Sequence, residues 1–258
     1  MDASLNDVKA VFLDLDGTIY LGSELIDGAL DFLKRCDEQG VRRFFLSNNS
    51  SRSVSQYVEK LHNLNIPCTS DDVLLSTHDL LSWLKKENVS RTWAIATKGM
   101  CEMMEEQGIT TRDNDPEYVV LGYDTEINYE KIEIGSVHLH KGVPLVASHP
   151  DMVCPSPNGG LPDVGAYLAM LKATTGVEPI HITGKPNPGM IMHKIEELGL
   201  LPKQCAMVGD RLYTDMEMAL RAGCVAVLVL SGEATLEDLE ASGMDVDVVV
   251  SSVDSLLR

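Results

Sequence analysis

No stretch of this 258-residue chain is apolar over the roughly 20 residues that a bilayer helix needs. Its first residues, Met1 to Asp7, lack the basic start and apolar run of a signal peptide. These two absences predict a chain with no membrane span and a cytoplasmic address. Basic residues are also scarce: 21 Lys and Arg stand against 39 Asp and Glu, a formal charge of −18. No Lys/Arg cluster forms a stripe, so nucleic acid is excluded as a partner by simple repulsion. Any anionic substrate has to be captured locally, by metal, backbone amides or a few placed cations. The six cysteines, Cys36, Cys68, Cys101, Cys154, Cys205 and Cys224, lie far apart. No paired spacing suggests a zinc site or a redox dithiol, and reduced, mostly buried thiols are expected. Short-period repeats, low-complexity tracts and a Pro/Gly/Ser-rich linker are missing too.

What is present is alternation. Strand-like apolar runs at 10–14, 43–46, 93–97, 118–121, 145–148, 180–183, 206–208 and 225–230 are interleaved with amphipathic segments at 29–39, 54–64, 164–175, 188–198 and 214–222. Gly40, Gly176, Gly199 and Gly223 follow helical stretches, as C-terminal glycines do. The pattern predicts an α/β protein with a mostly parallel, helix-covered sheet. The middle of the chain has its own alternation but no phosphate-type signals at its strand ends, and it reads as an insertion. The expected division is a core from 1–78 and 178–258, with an inserted domain at 79–177.

Chemistry concentrates where strands end. Val11-Phe12-Leu13-Asp14-Leu15-Asp16-Gly17-Thr18 closes an apolar strand with two carboxylates two residues apart and releases the chain through glycine. If strand geometry persists, Asp14 and Asp16 point the same way. Two converging anions suit a bound Mg²⁺ and attack of a carboxylate on phosphorus, although a lone Asp-x-Asp fits an acidic turn better. Ser47-Asn48 sits between a strand and a helix start, a natural anion seat or an ordinary cap. Lys185 ends the run from Ile180 and is expected at the same edge as Asp14, where it would clamp a phosphate. Gly209-Asp210, with Asp215, forms a second acidic motif after an apolar strand. Parallel sheets bring such strand ends together.

In this order, these segments resemble the haloacid dehalogenase superfamily of aspartate-nucleophile phosphatases. Asp14-Leu15-Asp16-Gly17-Thr18 looks like the first motif, Ser47 the second, Lys185 the third, and Gly209-Asp210 with Asp215 the fourth. Gly209-Asp210-Arg211-Leu212, Ala147-Ser148-His149-Pro150-Asp151 and Gly122-Tyr123-Asp124 resemble the NagD-like branch, subclass IIA. The resemblance covers nearly the whole chain and implies a Rossmann-like parallel-sheet core with helices on both faces and an inserted α/β C2-type cap. It implies Mg²⁺-dependent hydrolysis of a small phosphorylated metabolite, of nucleotide, sugar phosphate or phosphoglycolate type. Asp14 would be the nucleophile and Asp16 the acid and base. Asp14, Asp16 (through its carbonyl), Asp210 and Asp215 would surround the metal, and Ser47, Asn48 and Lys185 would hold phosphate oxygens.

Three departures bear on substrate choice. Tyr213 stands where the branch commonly has an acidic residue, and His149 where its cap loop commonly has asparagine. The glycine-rich stretch after that loop is only partly matched at 159–165. His149 and Asp151 are therefore the specificity candidates, although a satisfied loop histidine fits His149 equally well. His138 and His140 alternate as on one solvated strand face, and Met100, Met103 and Met104 suit packing on a cap helix. Phosphoryl transfer to a second substrate, a non-catalytic phospho-ligand sensor and a receiver-like phosphoacceptor are the competing functions. A homodimer is left open, because periodicity does not separate a core face from an interface face.

Overall fold

The computed structural model describes residues 5–154 and 159–257; residues 1–4, read above as lacking leader character, lie outside them. The chain opens with β1 (Ala10–Asp14), a small hairpin of β2 (Tyr20–Leu21) and β3 (Glu24–Leu25), α1 (Ala29–Glu38), β4 (Arg42–Ser47), α2 (Val54–Asn63) and β5 (Val73–Leu75). The middle contains α3 (Ser76–Lys86), β6 (Thr92–Ile95), α4 (Lys98–Glu106), β7 (Tyr118–Leu121), α5 (Tyr129–His140) and β8 (Leu145–Ala147). A second hairpin, β9 (Val153–Cys154) and β10 (Leu161–Pro162), then leads to α6 (Val164–Thr175) and β11 (His181–Ile182). The last part carries α7 (Gly189–Glu197), β12 (Cys205–Gly209), a π-type turn (Leu212–Met216), α8 (Glu217–Ala222), β13 (Val225–Val229), α9 (Leu236–Ser242) and β14 (Val248–Val250).

Two compact units result. The first comprises Met1–Ser47, Val58–Leu74 and Lys185–Arg258 and is built on a six-stranded sheet ordered β14-β13-β12-β1-β4-β5. From β1 the chain winds outward to β4 and β5, then resumes on the other side of β1 with β12, β13 and β14. The reversal between β1 and β12 is the topological switch point of a Rossmann-like sheet, where ligands of such folds collect. β1 pairs in parallel with both neighbours and all five of its residues are buried. That explains its unbroken apolar run: a strand covered on both faces has no water-facing side to alternate toward. Phe12 and Phe44 stack at 5.5 Å in this core, and truncation of such a side chain costs about 3–5 kcal/mol.

The second unit comprises Asn48–Tyr57 and Leu75–Gly184, around a parallel sheet ordered β11-β8-β7-β6. Side-chain alternation gives it two cores. Ala94, Val120 and Val146 pack with Leu80, Met100 and Met104, whereas Trp93, Val119 and Leu145 pack with Leu139, Val164 and Leu171. Met100 and Met104 are thus core residues, as their spacing suggests. This unit extends beyond the 79–177 segment. Ser76 Oγ donates to the Asn48 carbonyl, Thr97 Oγ1 donates to the Ser51 carbonyl, and His181 and Ile182 pair with Val146 and Ala147.

Two local expectations need correction. His138 and His140 lie on α5, not a strand, because Asn128 caps the helix by accepting from the Lys131 amide and Leu139 anchors its buried face. His138 is buried against Trp93, and desolvation lowers its pKa. The segment 214–222 is not one α-helix: its first turn is π-type, a widening often found at functional sites. All six cysteines are free, and burial pushes Cys36 and Cys224 up to about 12. Among the described residues, no helix is long and apolar enough to cross a membrane.

Candidate active site

Strand register sets the site. Asp14 ends β1 level with Leu46 of β4, while Leu13 lies level with Val208 of β12, so Asp14, Ser47 and Asp210 leave the sheet at one edge. Asp14, Asp210 and Asp215 are all buried, and one carboxylate oxygen from each lies within 4.8 Å of the others. Lys185, itself 3% exposed, makes a short ion pair with Asp14 Oδ1 and bonds Asp215 Oδ1 at 2.7 Å. Its approach differs from the sequence expectation. The preceding strand, β11, belongs to the four-stranded sheet, and Lys185 follows it through a turn at Gly184.

Missing side chains make room for these carboxylates. A Cβ on Gly209 would lie 2.4 Å from the Asp215 side chain, and a Cβ on Gly232 would lie 2.0 Å from Asp210 Oδ2. Gly17 combines a φ of +87° with an equally close approach to Asp210, so it meets both the turn's left-handed backbone and the space limit. The π-type turn directs Asp215 back onto the Arg211 amide, which donates to Oδ2 at 3.1 Å. Glu233 N donates to Asp210 Oδ2 at 2.7 Å. Asp210 Oδ1 is buried and has no partner.

Charge is left uncompensated. Desolvation, reinforced by Asp14 and Asp215, raises the Asp210 pKa to about 7. Desolvation likewise raises Asp215 to about 6, against the lowering effect of Lys185. Burial alone would lower the Lys185 pKa, but Asp14 and Asp215 outweigh it and keep the ammonium charged. Three clustered carboxylates, one with an orphaned oxygen, are the donor set of a hard divalent cation. Asp14, Asp210 and Asp215 fit such an ion. Asp16, two residues beyond Asp14, is exposed; desolvation nonetheless raises its pKa, Lys60 lowers it and Asp14 raises it again.

Ser47 is half-buried at the end of β4, whereas Asn48, His149 and Asp151 belong to the second unit. There the Asn48 amide donates to both Asp151 oxygens, at 3.3 and 3.1 Å. His149 has no exposed surface, and both ring nitrogens are engaged, by Ser148 Oγ at 3.0 Å and Asp163 Oδ1 at 2.9 Å. Its ring is therefore enclosed by the protein in this arrangement. His149, Asp151 and Asp163 also have ligand atoms within 4.8 Å of one another. Sequence reading missed the 231–234 loop that grips Asp210; Gly232-Glu233 directly after a buried strand was its one visible signal.

A carboxylate at a Rossmann-like switch point, beside a buried lysine and an aspartate with an unpartnered buried oxygen, is an arrangement suited to phosphate-ester chemistry. Comparison with known proteins agrees. Residues 11–110 match the haloacid dehalogenase-like hydrolase family, and residues 182–256 match a second model of the same hydrolase type. An acid sugar phosphatase of Staphylococcus aureus is 31% identical over 238 residues, 92% of each chain. The crystal structure of a Thermotoga maritima 4-nitrophenylphosphatase is 38% identical, covers 98% of each chain and superposes with a TM-score of 0.94. A structure described as a putative NagD protein is 36% identical, with a TM-score of 0.91 and 98% coverage of each chain. The chain belongs to the haloacid dehalogenase-like hydrolases, in their NagD-like branch.

Proposed function

We propose that the protein is a phosphatase that hydrolyses small phosphomonoesters with Mg²⁺, through an aspartyl phosphate on Asp14. The observation that carries this reading is the buried Asp14–Lys185–Asp215 group beside the unpartnered Asp210 Oδ1. Asp14, Asp210 and Asp215, with the Asp16 carbonyl, would hold the ion, which offsets negative charge as phosphorus is attacked. The Asp14 carboxylate forms a bond to phosphorus as the ester bond breaks, and Asp16 gives its proton to the leaving oxygen. Asp16, now ionised, takes a proton from water, whose oxygen displaces Asp14 and releases inorganic phosphate. The raised pKa of Asp16 supports its holding that first proton. Lys185 and Ser47 hold non-reacting oxygens in a transition state whose charge spreads over them. Asp151, paired with Asn48, bears on substrate choice. The named activities of its relatives make sugar phosphates the first physiological candidates and 4-nitrophenyl phosphate the convenient probe. The test is phosphate release across a phosphomonoester panel, with Mg²⁺ and with EDTA, for wild type and Asp14→Asn. Turnover that needs Mg²⁺ and disappears in the variant is expected; release that survives Asp14→Asn would refute the covalent route.

A further inference from the structure

The second unit contains a buried hydrogen-bond chain that the chemistry above does not use. Tyr123 N donates to Ser50 Oγ at 2.8 Å, Ser50 Oγ meets Ser148 Oγ at 2.9 Å, and Ser148 Oγ meets His149 Nδ1 at 3.0 Å. His149 Nε2 meets Asp163 Oδ1 at 2.9 Å, and that oxygen also accepts from Val164 N at 2.7 Å, capping α6. Ser50, Ser148, His149 and Asp163 are all buried. One assignment of protons satisfies every link. An ionised Asp163 only accepts, so Nε2 carries a hydrogen; in the neutral ring Nδ1 then accepts from Ser148, whose oxygen accepts from Ser50. The chain has one consistent direction and no unpaired link.

We propose that His149 is a positioning residue, the keystone that fastens the segment after Ser47 to the start of α6 and thereby fixes the Asn48–Asp151 pair. Ser50 lies two residues beyond Asn48, and Asp151 two beyond His149, so both members of the pair are tethered by this chain. Asparagine, the residue expected here from the branch pattern, has too short a side chain to span from Ser148 to Asp163. The larger imidazole supplies an acceptor and a donor on opposite edges. Ligation of a cation by His149, Asp151 and Asp163 would compete with this arrangement, because both nitrogens of His149 are already spent within the protein.

The activity readout rests on the phosphatase reading; the exchange readout does not. His149→Leu keeps apolar bulk and removes both bonds, whereas His149→Gln restores an acceptor and a donor on one side chain. Amide hydrogen exchange at Tyr123 and Val164 should quicken about tenfold or more in His149→Leu and return toward wild type in His149→Gln, the scale of one buried hydrogen bond. With a sugar phosphate, KM should rise about tenfold in His149→Leu with kcat changed less than about threefold, again with rescue by glutamine. If His149→Leu does not fold, Ser148→Ala breaks the same chain one link away and is read identically. Wild-type exchange and KM in the leucine variant, or equal defects in the leucine and glutamine variants, would overturn the proposal. If wild type releases no phosphate from any substrate, the functional reading fails, and the exchange comparison alone still decides this inference.

Discussion

The molecule contains two parallel sheets that dispose of their acids in opposite ways. In the six-stranded sheet, strand order reverses between β1 and β12, and Asp14, Asp210 and Asp215 crowd at the reversal, with Lys185 bonded to Asp14 and Asp215. In the four-stranded sheet, β6, β7, β8 and β11 follow one another in chain order without a reversal. Aspartates at that sheet's strand ends and helix starts are satisfied: Asp124 bonds Lys131 at 2.8 Å, Asp151 accepts from Asn48, Asp163 from His149, and Asp79 from the Gly184 amide. Identical residue types are crowded together in one setting and individually partnered in the other. The difference lies in whether the protein supplies each carboxylate with its own partner.

The comparison is most easily broken by exchanging an acid in each sheet. Asp14→Asn should reduce kcat by about a thousandfold or more, since loss of a covalent nucleophile removes a route rather than a contact. Asp124→Asn should leave kcat within about threefold. A comparable loss of turnover in both variants, measured on folded protein, would mean that the second sheet is part of the chemistry.

A second test uses pH. Asp210 and Asp215 have native pKa values of about 7 and about 6, above the ordinary 3.8, with desolvation the first cause in both. Between pH 4 and 7 the native protein therefore binds more protons than the unfolded chain, and stability falls as pH rises through that window. The slope is about 1.4 kcal/mol per pH unit for each group fully displaced in this way. A divalent ion favours the ionised carboxylates and opposes the trend. Melting temperatures in EDTA should decline from pH 4.5 to 7.5, and saturating Mg²⁺ should flatten the decline. A rise with pH in EDTA would show that the acids are compensated after all. In the satisfied sheet the expected effect is on stability alone. Lys131→Met strands the fully buried Asp124 carboxylate and should cost about 3 kcal/mol, read by denaturant midpoint.

Much of this contrast was legible before any coordinates. Asp14, Asp16, Asp210 and the strands that carry them could be read from apolar runs ending in acid and glycine. Lys185 was recognisable as a residue type, but not the sheet of its preceding strand, because two-residue pairing such as His181–Ile182 with Val146–Ala147 leaves almost no periodic signal. At His149 the sequence fits a specificity residue and a satisfied loop histidine equally well, because Asp163, which with Ser148 encloses the ring, lies fourteen residues away. His138 misled for a related reason. Two histidines spaced by one fit a strand face locally, and the Asn128 cap that commits them to a helix lies ten residues earlier.

The finest distinction between the sheets concerns glycine. In the first unit, Gly232 has no unusual φ, so its role is spatial: a Cβ there would fall 2.0 Å from Asp210 Oδ2, while the next amide, Glu233 N, holds that oxygen at 2.7 Å. Gly232→Ala must therefore turn the carboxylate and misdirect Oδ1, the oxygen left for metal. Disturbing a group that orients a ligand typically costs 10–100-fold in metal affinity. We expect the Mg²⁺ dissociation constant, measured by calorimetry on the metal-free protein, to rise by about that factor, with Lys185 and Asp14 untouched. Gly142, in the turn after α5, supplies the control. A Cβ there meets nothing within 4 Å, although its φ of +89° makes any replacement strained. Gly142→Ala should lower stability by about 1 kcal/mol and leave Mg²⁺ affinity unchanged. Equal loss of affinity in both variants would assign the effect to general loosening, and the 231–234 loop would then have no special part in presenting Asp210.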